Sequence, residues 1–161
     1  MKKKTPTVFI VGTNHTIRML FDGRGIAVVQ KIKDASFIQF TGGGDISPQF
    51  YDQARHEKTY SQEKRDFVEA TLARLLFKDK IPMAGICRGG QLLNVLCGGD
   101  MWQDVDGHKT THRVYAKDTK KIFRVSSVHH QLMIPTKKNS KTLLVANETT
   151  WTAFPASLYF D

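Results

Sequence analysis

The sequence has no long apolar segment and almost no cysteine. No run of about eighteen apolar residues occurs, and the apolar stretch behind the N-terminal lysines covers only residues 8–11, which is too short for a signal peptide. The two cysteines, Cys87 and Cys97, lie ten residues apart on one predicted turn-and-helix unit, and a disulfide between them would unwind the helix. These absences predict a cytoplasmic protein with no membrane partner.

Acidic residues are also scarce, because 15 Asp and Glu stand against 24 Lys and Arg, for a formal net charge of +9. The basic residues cluster at residues 2–4, 117–121 and 137–141. The last two clusters are predicted turns, and no aromatic side chains alternate with the basic ones as they would in a stacking platform. The pattern therefore favours a solvated basic surface over a nucleic-acid partner.

Short apolar runs at residues 7–12, 26–29, 36–40 and 82–86 are typical of buried parallel strands. Helical patterns separate several of them, which predicts an α/β fold with an open, mostly parallel sheet flanked by helices. We expect residues 1–161 to form a single domain. Three short β-type runs follow at residues 113–116, 122–125 and 143–146.

The clearest helical pattern covers residues 60–77, where Thr59 and Gln62 have the spacing of a capping box. A stripe of side chains at helical spacing is predicted to pack on the sheet. The stripe consists of Phe67, Val68, Thr71, Leu72, Leu75 and Leu76.

A second strand-to-helix transition is much sharper and lies at Cys87. The predicted strand 82–86 passes into an apolar-faced helix within two residues, and glycines at positions 85, 89 and 90 surround the turn. This is the pattern of a nucleophile elbow, in which a side chain next to the turn would clash. A helix N-terminus favours a reactive thiolate, so Cys87 is the predicted nucleophile. Cys97 belongs to the apolar run of the helix and is predicted to be a core residue, and both thiols are predicted to be free.

A triple-glycine loop, residues 42–44, follows the third predicted strand. Its backbone N–H groups could approach a ligand closely. In an open α/β sheet, ligands bind at the carboxyl ends of the strands, where Cys87 is also expected. The glycine loop, Cys87 and the segment that contains His129 are therefore predicted to form one pocket.

Histidine is the natural partner of a catalytic thiol, and six histidines occur. His129 and His130 are predicted to alternate on a strand, so that only one of them, His129, points into the site. His108 and His112 have the spacing of a metal-binding pair, but no third ligand accompanies them, so no metal site is predicted.

Five motifs together resemble class I glutamine amidotransferases, in particular the branch of γ-glutamyl hydrolases and γ-glutamyl-γ-aminobutyrate hydrolases. They occur in the order found in that family and extend over about residues 7–147. The matching segments are residues 41–51, 65–67, 85–95, 98–104 and 128–131.

This resemblance implies a flavodoxin-like sheet and an attack by Cys87 on a small-molecule γ-glutamyl amide, through a glutamyl-thioester. It also implies oxyanion donors at the backbone N–H groups of Gly43 and Arg88. By the same resemblance the substrate lies near His129, and Gln91 helps to hold its glutamyl part. Gly42 and His130 are further candidate substrate-binding residues. No cofactor is implied, and a homodimer is compatible with the resemblance.

The sequence departs from the family pattern in one respect. The usual general base belongs to a C-terminal His-x-Glu, and no histidine follows His130. We therefore expect a truncated domain, a piece of a longer chain, or a different histidine in the role of the base. The alternative functions are a binding or regulatory protein of the same fold and a domain that supplies ammonia to a synthase.

Overall fold

The central element is a four-stranded parallel sheet. The computed structural model describes residues 5–12, 15–106, 108–138 and 140–146. The strand order is β2-β1-β3-β4, and every neighbouring pair is parallel. The strands are β1 (Thr7–Val11), β2 (Ala27–Val28), β3 (Phe37–Phe40) and β4 (Met83–Gly85). The predicted α/β architecture is confirmed.

Helices cover both faces of this sheet, namely α1 (His15–Asp22), α2 (Glu63–Lys78) and α3 (Arg88–Leu96). Successive side chains of β1 point to opposite faces, because a strand has a period of two residues. Val8 accordingly packs with Ile17 of α1, whereas Phe9 packs into the larger cluster that includes Ala73 of α2 and Leu92 of α3. None of the helices in the described part of the chain combines the length and the apolar character needed to cross a bilayer.

The structure contradicts the predicted packing face of α2. Phe67, Val68 and Leu75 are exposed, whereas Asp66 and Glu69 are buried. The inward face therefore combines small and medium-sized apolar side chains with two carboxylates, which pair with an arginine described below. Of the rest of the predicted stripe, Thr71 is also exposed, Leu72 is half-buried and Leu76 is buried.

The predicted capping box at the start of α2 is also wrong. The helix begins at Glu63 with Gln62 as its N-cap residue, and no side chain caps it. The hydroxyl of Thr59 instead donates a hydrogen bond of 2.8 Å to the side-chain oxygen of Gln103. A long-range partner thus displaced the local contact that the sequence spacing suggested.

The later strands form two antiparallel sheets beside the parallel one. One sheet pairs β5 (Asp100–Trp102) with β8 (Leu132–Ile134), and the other has the order β7-β6-β9. The strands of the second sheet are β6 (Thr111–Ala116), β7 (Ile122–Ser126) and β9 (Leu144–Ala146). The basic residues 117–121 lie in the β6–β7 connection, at the predicted position.

Candidate active site

Cys87 occupies a strained turn between a strand and a helix. Strand β4 ends at Gly85, helix α3 begins at Arg88, and Cys87 has φ 53° and ψ −120°. Side chains other than glycine rarely adopt this backbone region, at a cost of about 1–3 kcal/mol. Strain of this kind is common where a side chain must be presented to a ligand. The elbow geometry predicted for Cys87 is present.

The elbow is possible because two glycines allow close backbone contact. A Cβ atom at Gly85 would lie 2.2 Å from the carbonyl carbon of Gly89, and one at Gly89 would lie 2.5 Å from the carbonyl oxygen of Phe40. Both distances are far below van der Waals contact. Gly90 is less constrained, because its Cβ would lie 3.3 Å from the nearest atom.

The two thiols are both free and exposed, but they have different surroundings. Cys87 is the N-cap residue of α3, and the N–H of Arg88 in the first turn has no acceptor within the helix. That N–H can therefore donate to an oxyanion formed beside the sulfur. Cys97 was predicted to be a core residue, which is wrong: it caps the C-terminal end of the same helix, where the chain leaves the core.

The glycine loop, the elbow and the histidine segment meet at one cavity of about 250 Å³. Of the residues predicted for the site, those that line the cavity are Gly43, Cys87, Gln91, His129 and His130. Gly42 adjoins the thiol, because a Cβ atom built there would lie 3.9 Å from the sulfur of Cys87. Arg88, predicted as an oxyanion donor, is not one of the lining residues, and its side chain is buried.

The protein also has a larger cavity, of about 590 Å³, between the C-terminal ends of α2 and α3. Its lining is mainly apolar and includes Phe77, Met83 and Leu93, together with Cys97. It contains neither the elbow nor a histidine, so the smaller cavity is the candidate active site.

A buried ion network fixes the elbow and the glycine loop to α2. The guanidinium of Arg88 is 1% exposed and bonds to the carboxylates of Asp66 and Glu69. Glu69 also accepts a 2.7 Å hydrogen bond from Arg65, which donates in turn to the carbonyl oxygen of Gly42. The network therefore holds the backbone on both sides of the thiol.

We expect Asp66→Ala to destabilise the protein by about 3–5 kcal/mol, because it leaves the guanidinium of Arg88 buried with one partner fewer. Urea unfolding at pH 7 measures the change. Glu63→Ala is the matched control, since Glu63 lies on the same helix and pairs with Arg55 at the exposed surface. This variant should lose less than about 1 kcal/mol in its free energy of unfolding. Equal losses in the two variants would contradict the role assigned to the network.

His130 is bonded at both ring nitrogens. Its Nδ1 lies 3.1 Å from a carboxylate oxygen of Asp104, and its Nε2 lies 3.2 Å from one of Asp45. Lys58 contacts the other oxygen of Asp104 at 2.6 Å. With neither nitrogen free to take a proton from a thiol, His130 is unsuited to the role of a general base.

His129 has one ring nitrogen that remains able to accept a proton. Its Nδ1 lies 2.9 Å from the carbonyl oxygen of Gln131, and a carbonyl oxygen can only accept, so Nδ1 carries the hydrogen. In the neutral ring Nε2 therefore presents a lone pair. Burial lowers the pKa of His129 below its usual value, and the nearby His112 and His130 lower it further, which keeps the ring neutral at pH 7.

The predicted alternation of these two histidines on a strand is wrong. Residues 127–131 are irregular, and both rings line the cavity. The reason is that the carboxylates of Asp45 and Asp104 orient His130, whereas the backbone of Gln131 orients His129.

A second cluster of imidazoles adjoins the site. The ring of His108 lies 4.5 Å from that of His112 and 5.0 Å from that of His129, centroid to centroid. Burial, followed by the charges of His129 and His112, lowers the pKa of His108 to about 4. No group of three or more ligating side chains in the described ranges is placed to hold a metal ion.

This pKa predicts a loss of stability in acid. Well above pH 6.5 His108 is neutral in both the folded and the unfolded chain. Between pH 6.5 and 4 it binds a proton in the unfolded chain but stays mostly neutral in the folded chain. Stability therefore falls as the pH falls, by about 2 kcal/mol from this group at pH 5. Urea unfolding gives the free energy of unfolding at pH 7 and at pH 5. The difference between these two values should be smaller for His108→Gln than for the wild type. His15→Gln, which alters an exposed histidine, should keep the wild-type difference; an unchanged difference in His108→Gln would refute the assignment.

A parallel sheet with a strained cysteine between a strand and a helix, beside a glycine loop, defines an α/β protein of the nucleophile-elbow class. Residues 25–152 match the Peptidase C26 family, and the chain belongs to that family. The broader resemblance noted in the sequence, to glutamine amidotransferase-like proteins, is thereby confirmed.

Similar proteins carry related names. The chain is 45% identical to NtpR of Enterococcus hirae over 65 residues, which are 40% of this chain and 27% of that protein. It is 28% identical over 117 residues to the glutamine amidotransferase-like protein YvdE of Lactococcus lactis, covering 60% of this chain and 50% of YvdE. The chain thus spans half or less of the length of these relatives.

A solved structure shares the fold. A glutamine amidotransferase from Thermotoga maritima superposes with a TM-score of 0.66 over 90% of this chain and 69% of its own, at 15% identity. This likeness concerns the fold alone.

Sequence reasoning missed several side chains of the cavity, namely Asp45, Tyr60 and Gln131, and it missed Asp104 behind them. Asp45 could have been found, because it directly follows the glycine loop at a strand end. Asp104 ends one of the matching segments, but its role depends on a contact with His130 across 26 positions of the sequence, which the segment alone does not indicate.

Proposed function

We propose that this protein is a cysteine-dependent amidohydrolase that cleaves glutamine or another γ-glutamyl amide through a glutamyl-thioester. The observation that carries the proposal is the elbow cysteine in one cavity with the glycine loop and His129. Membership of Peptidase C26 and the name of the relative YvdE support an amide substrate.

In the first half of the reaction, Nε2 of His129 accepts the thiol proton and the sulfur of Cys87 attacks the amide carbon. The oxygen of the tetrahedral intermediate becomes negative and faces the N–H groups of Gly43 and Arg88. The C–N bond then breaks, and the departing amine takes the proton from His129. The product is a glutamyl group joined to Cys87 as a thioester.

In the second half, water attacks the thioester carbonyl and gives a proton to His129. The same two backbone N–H groups face the oxyanion again. When the C–S bond breaks, Cys87 leaves as a thiolate and recovers the proton from the imidazolium, and glutamate is released. Each proton that His129 accepts is returned, so the enzyme ends the cycle unchanged.

The test is glutamate release from L-glutamine and from γ-glutamyl amides with other amines, combined with intact-mass analysis after an acid quench. We expect turnover of at least one amide and a mass increase of one glutamyl group on Cys87. If an electrophilic glutamine analogue labels Cys87 but no amide is hydrolysed, the protein is a glutamyl-binding member of the fold. If neither labelling nor turnover occurs, the proposed site is wrong.

A further inference from the structure

One acidic side chain lines the candidate active site. Asp45 follows the glycine loop and faces the same cavity as Cys87, and within the described residues no lysine or arginine lines that cavity. A carboxylate in such a place is matched by a cationic group of the ligand and not by an anionic one. Its contact with Nε2 of His130 orients that ring and still leaves the carboxylate on the cavity wall.

The carboxylate of Asp45 is held in a fixed orientation. One oxygen accepts a 2.8 Å hydrogen bond from the backbone N–H of Tyr60, and both oxygens lie within 3.3 Å of Nε2 of His130. His130 is held in turn by Asp104, and Asp104 by Lys58. Asp45 therefore does not need to be ordered when a ligand binds, which lowers the entropic cost of the contact.

The carboxylate also retains the capacity for another partner. Two oxygens offer about four acceptor positions, and Tyr60 and His130 do not fill all of them. The Asp45 side chain is 13% exposed, so the contact would be partly desolvated and stronger than one at the open surface. An ammonium group is the donor that fits this remaining capacity.

We propose that Asp45 binds the α-ammonium group of the γ-glutamyl substrate and so restricts the enzyme to substrates whose α-amino group is free. This inference rests on the proposed function for the identity of the ligand. It makes Asp45 a specificity residue: glutaryl amides, which lack the α-amino group, and N-acylated glutamyl amides bind poorly. A cavity of about 250 Å³ suits a ligand as small as one glutamyl group.

The experiment compares L-glutamine with its des-amino analogue, glutaramic acid, as ligands of the wild type and of Asp45→Asn. Asparagine keeps the shape of the side chain and the acceptor for Tyr60 but removes the charge. Calorimetry at pH 7 gives both affinities when every protein compared also carries Cys87→Ser, so that glutamine is not consumed during the titration. Asp118→Asn is the matched control, because it removes the same charge from an exposed residue that pairs with Lys141.

We expect the wild type to bind L-glutamine about tenfold or more tightly than glutaramic acid. Asp45→Asn should lose that preference, because its affinity for L-glutamine falls while its affinity for glutaramic acid does not. Asp118→Asn should keep the preference. Equal weakening of both ligands by Asp45→Asn, equal binding of both by the wild type, or binding of neither would overturn the inference.

The outcomes also separate this inference from the proposed function. If amides are hydrolysed but Asp45→Asn prefers L-glutamine over glutaramic acid as the wild type does, the proposed function is supported and the proposed role of Asp45 is wrong. If the binding preference depends on Asp45 but no amide is hydrolysed, the proposed role of Asp45 is supported and the proposed hydrolase function is wrong. If Asp45 only supported the structure of the site, Asp45→Asn would bind glutaramic acid more weakly as well. An unchanged affinity for glutaramic acid therefore excludes a merely structural role.

Discussion

Replacement of Cys87 by serine is expected to lower amide hydrolysis by a factor on the order of 10⁶, the scale of the loss when a hydrolase loses its nucleophile. A hydroxyl at this position is a far weaker nucleophile than a thiolate. The serine is nearly the same size and keeps the elbow backbone, so the fold should survive. The measurement is the initial rate of glutamate release, with circular dichroism as the check on folding.

Cys97→Ser is the matched control for this change, because Cys97 is also free and exposed but caps the other end of α3. It should keep the wild-type rate. Labelling by an electrophilic glutamine analogue should likewise disappear in Cys87→Ser and persist in Cys97→Ser. Comparable rate losses in the two variants would remove Cys87 from the role of nucleophile.

The elbow could be predicted from the sequence because its requirements are local. A turn of two residues between a strand and a helix needs small neighbours at fixed offsets, and Gly85 and Gly89 stand at those offsets. The structure gives the reason as two backbone contacts that a Cβ atom would prevent. The parallel strands were equally accessible, since a buried strand is a continuous apolar run.

The packing of α2 could not be predicted, because hydrophobic periodicity assumes that the buried face is apolar. Here Asp66 and Glu69 face inward to satisfy Arg88, a residue 22 positions from Asp66. A buried arginine without partners would be far more costly than exposed apolar side chains such as Phe67 and Leu75. Charge pairing across a long sequence separation therefore outweighed the local pattern.

The polar network of the site escaped prediction for a similar reason. Asp45 and His130 are separated by 85 positions, and their contact exists only once the sheet has brought the glycine loop against residues 127–131. The sequence motifs indicated which segments meet. They did not indicate that carboxylates orient one histidine and leave the other available.

Replacement of His129, the histidine that the carboxylates leave available, is expected to have the second large effect on the rate of hydrolysis. His129→Ala is expected to lower kcat for amide hydrolysis by about 10²–10⁴-fold, the usual contribution of a general base. Nε2 of His129 has a lone pair because Nδ1 donates to the carbonyl of Gln131. His15→Gln, which alters an exposed histidine of α1, should leave kcat unchanged.

The pH profile distinguishes a base from a residue that only supports the fold. Burial lowers the pKa of His129 below 6.5, so kcat/KM should be at its plateau at pH 7 and fall as the pH falls through that lowered pKa, where the ring becomes protonated and loses its lone pair. His129→Ala should lack this acidic limb, and added imidazole should restore part of its rate, because a free base can occupy the vacated space. A wild-type kcat in His129→Ala, or an acidic limb that survives the substitution without rescue by imidazole, would assign the proton transfer to another group.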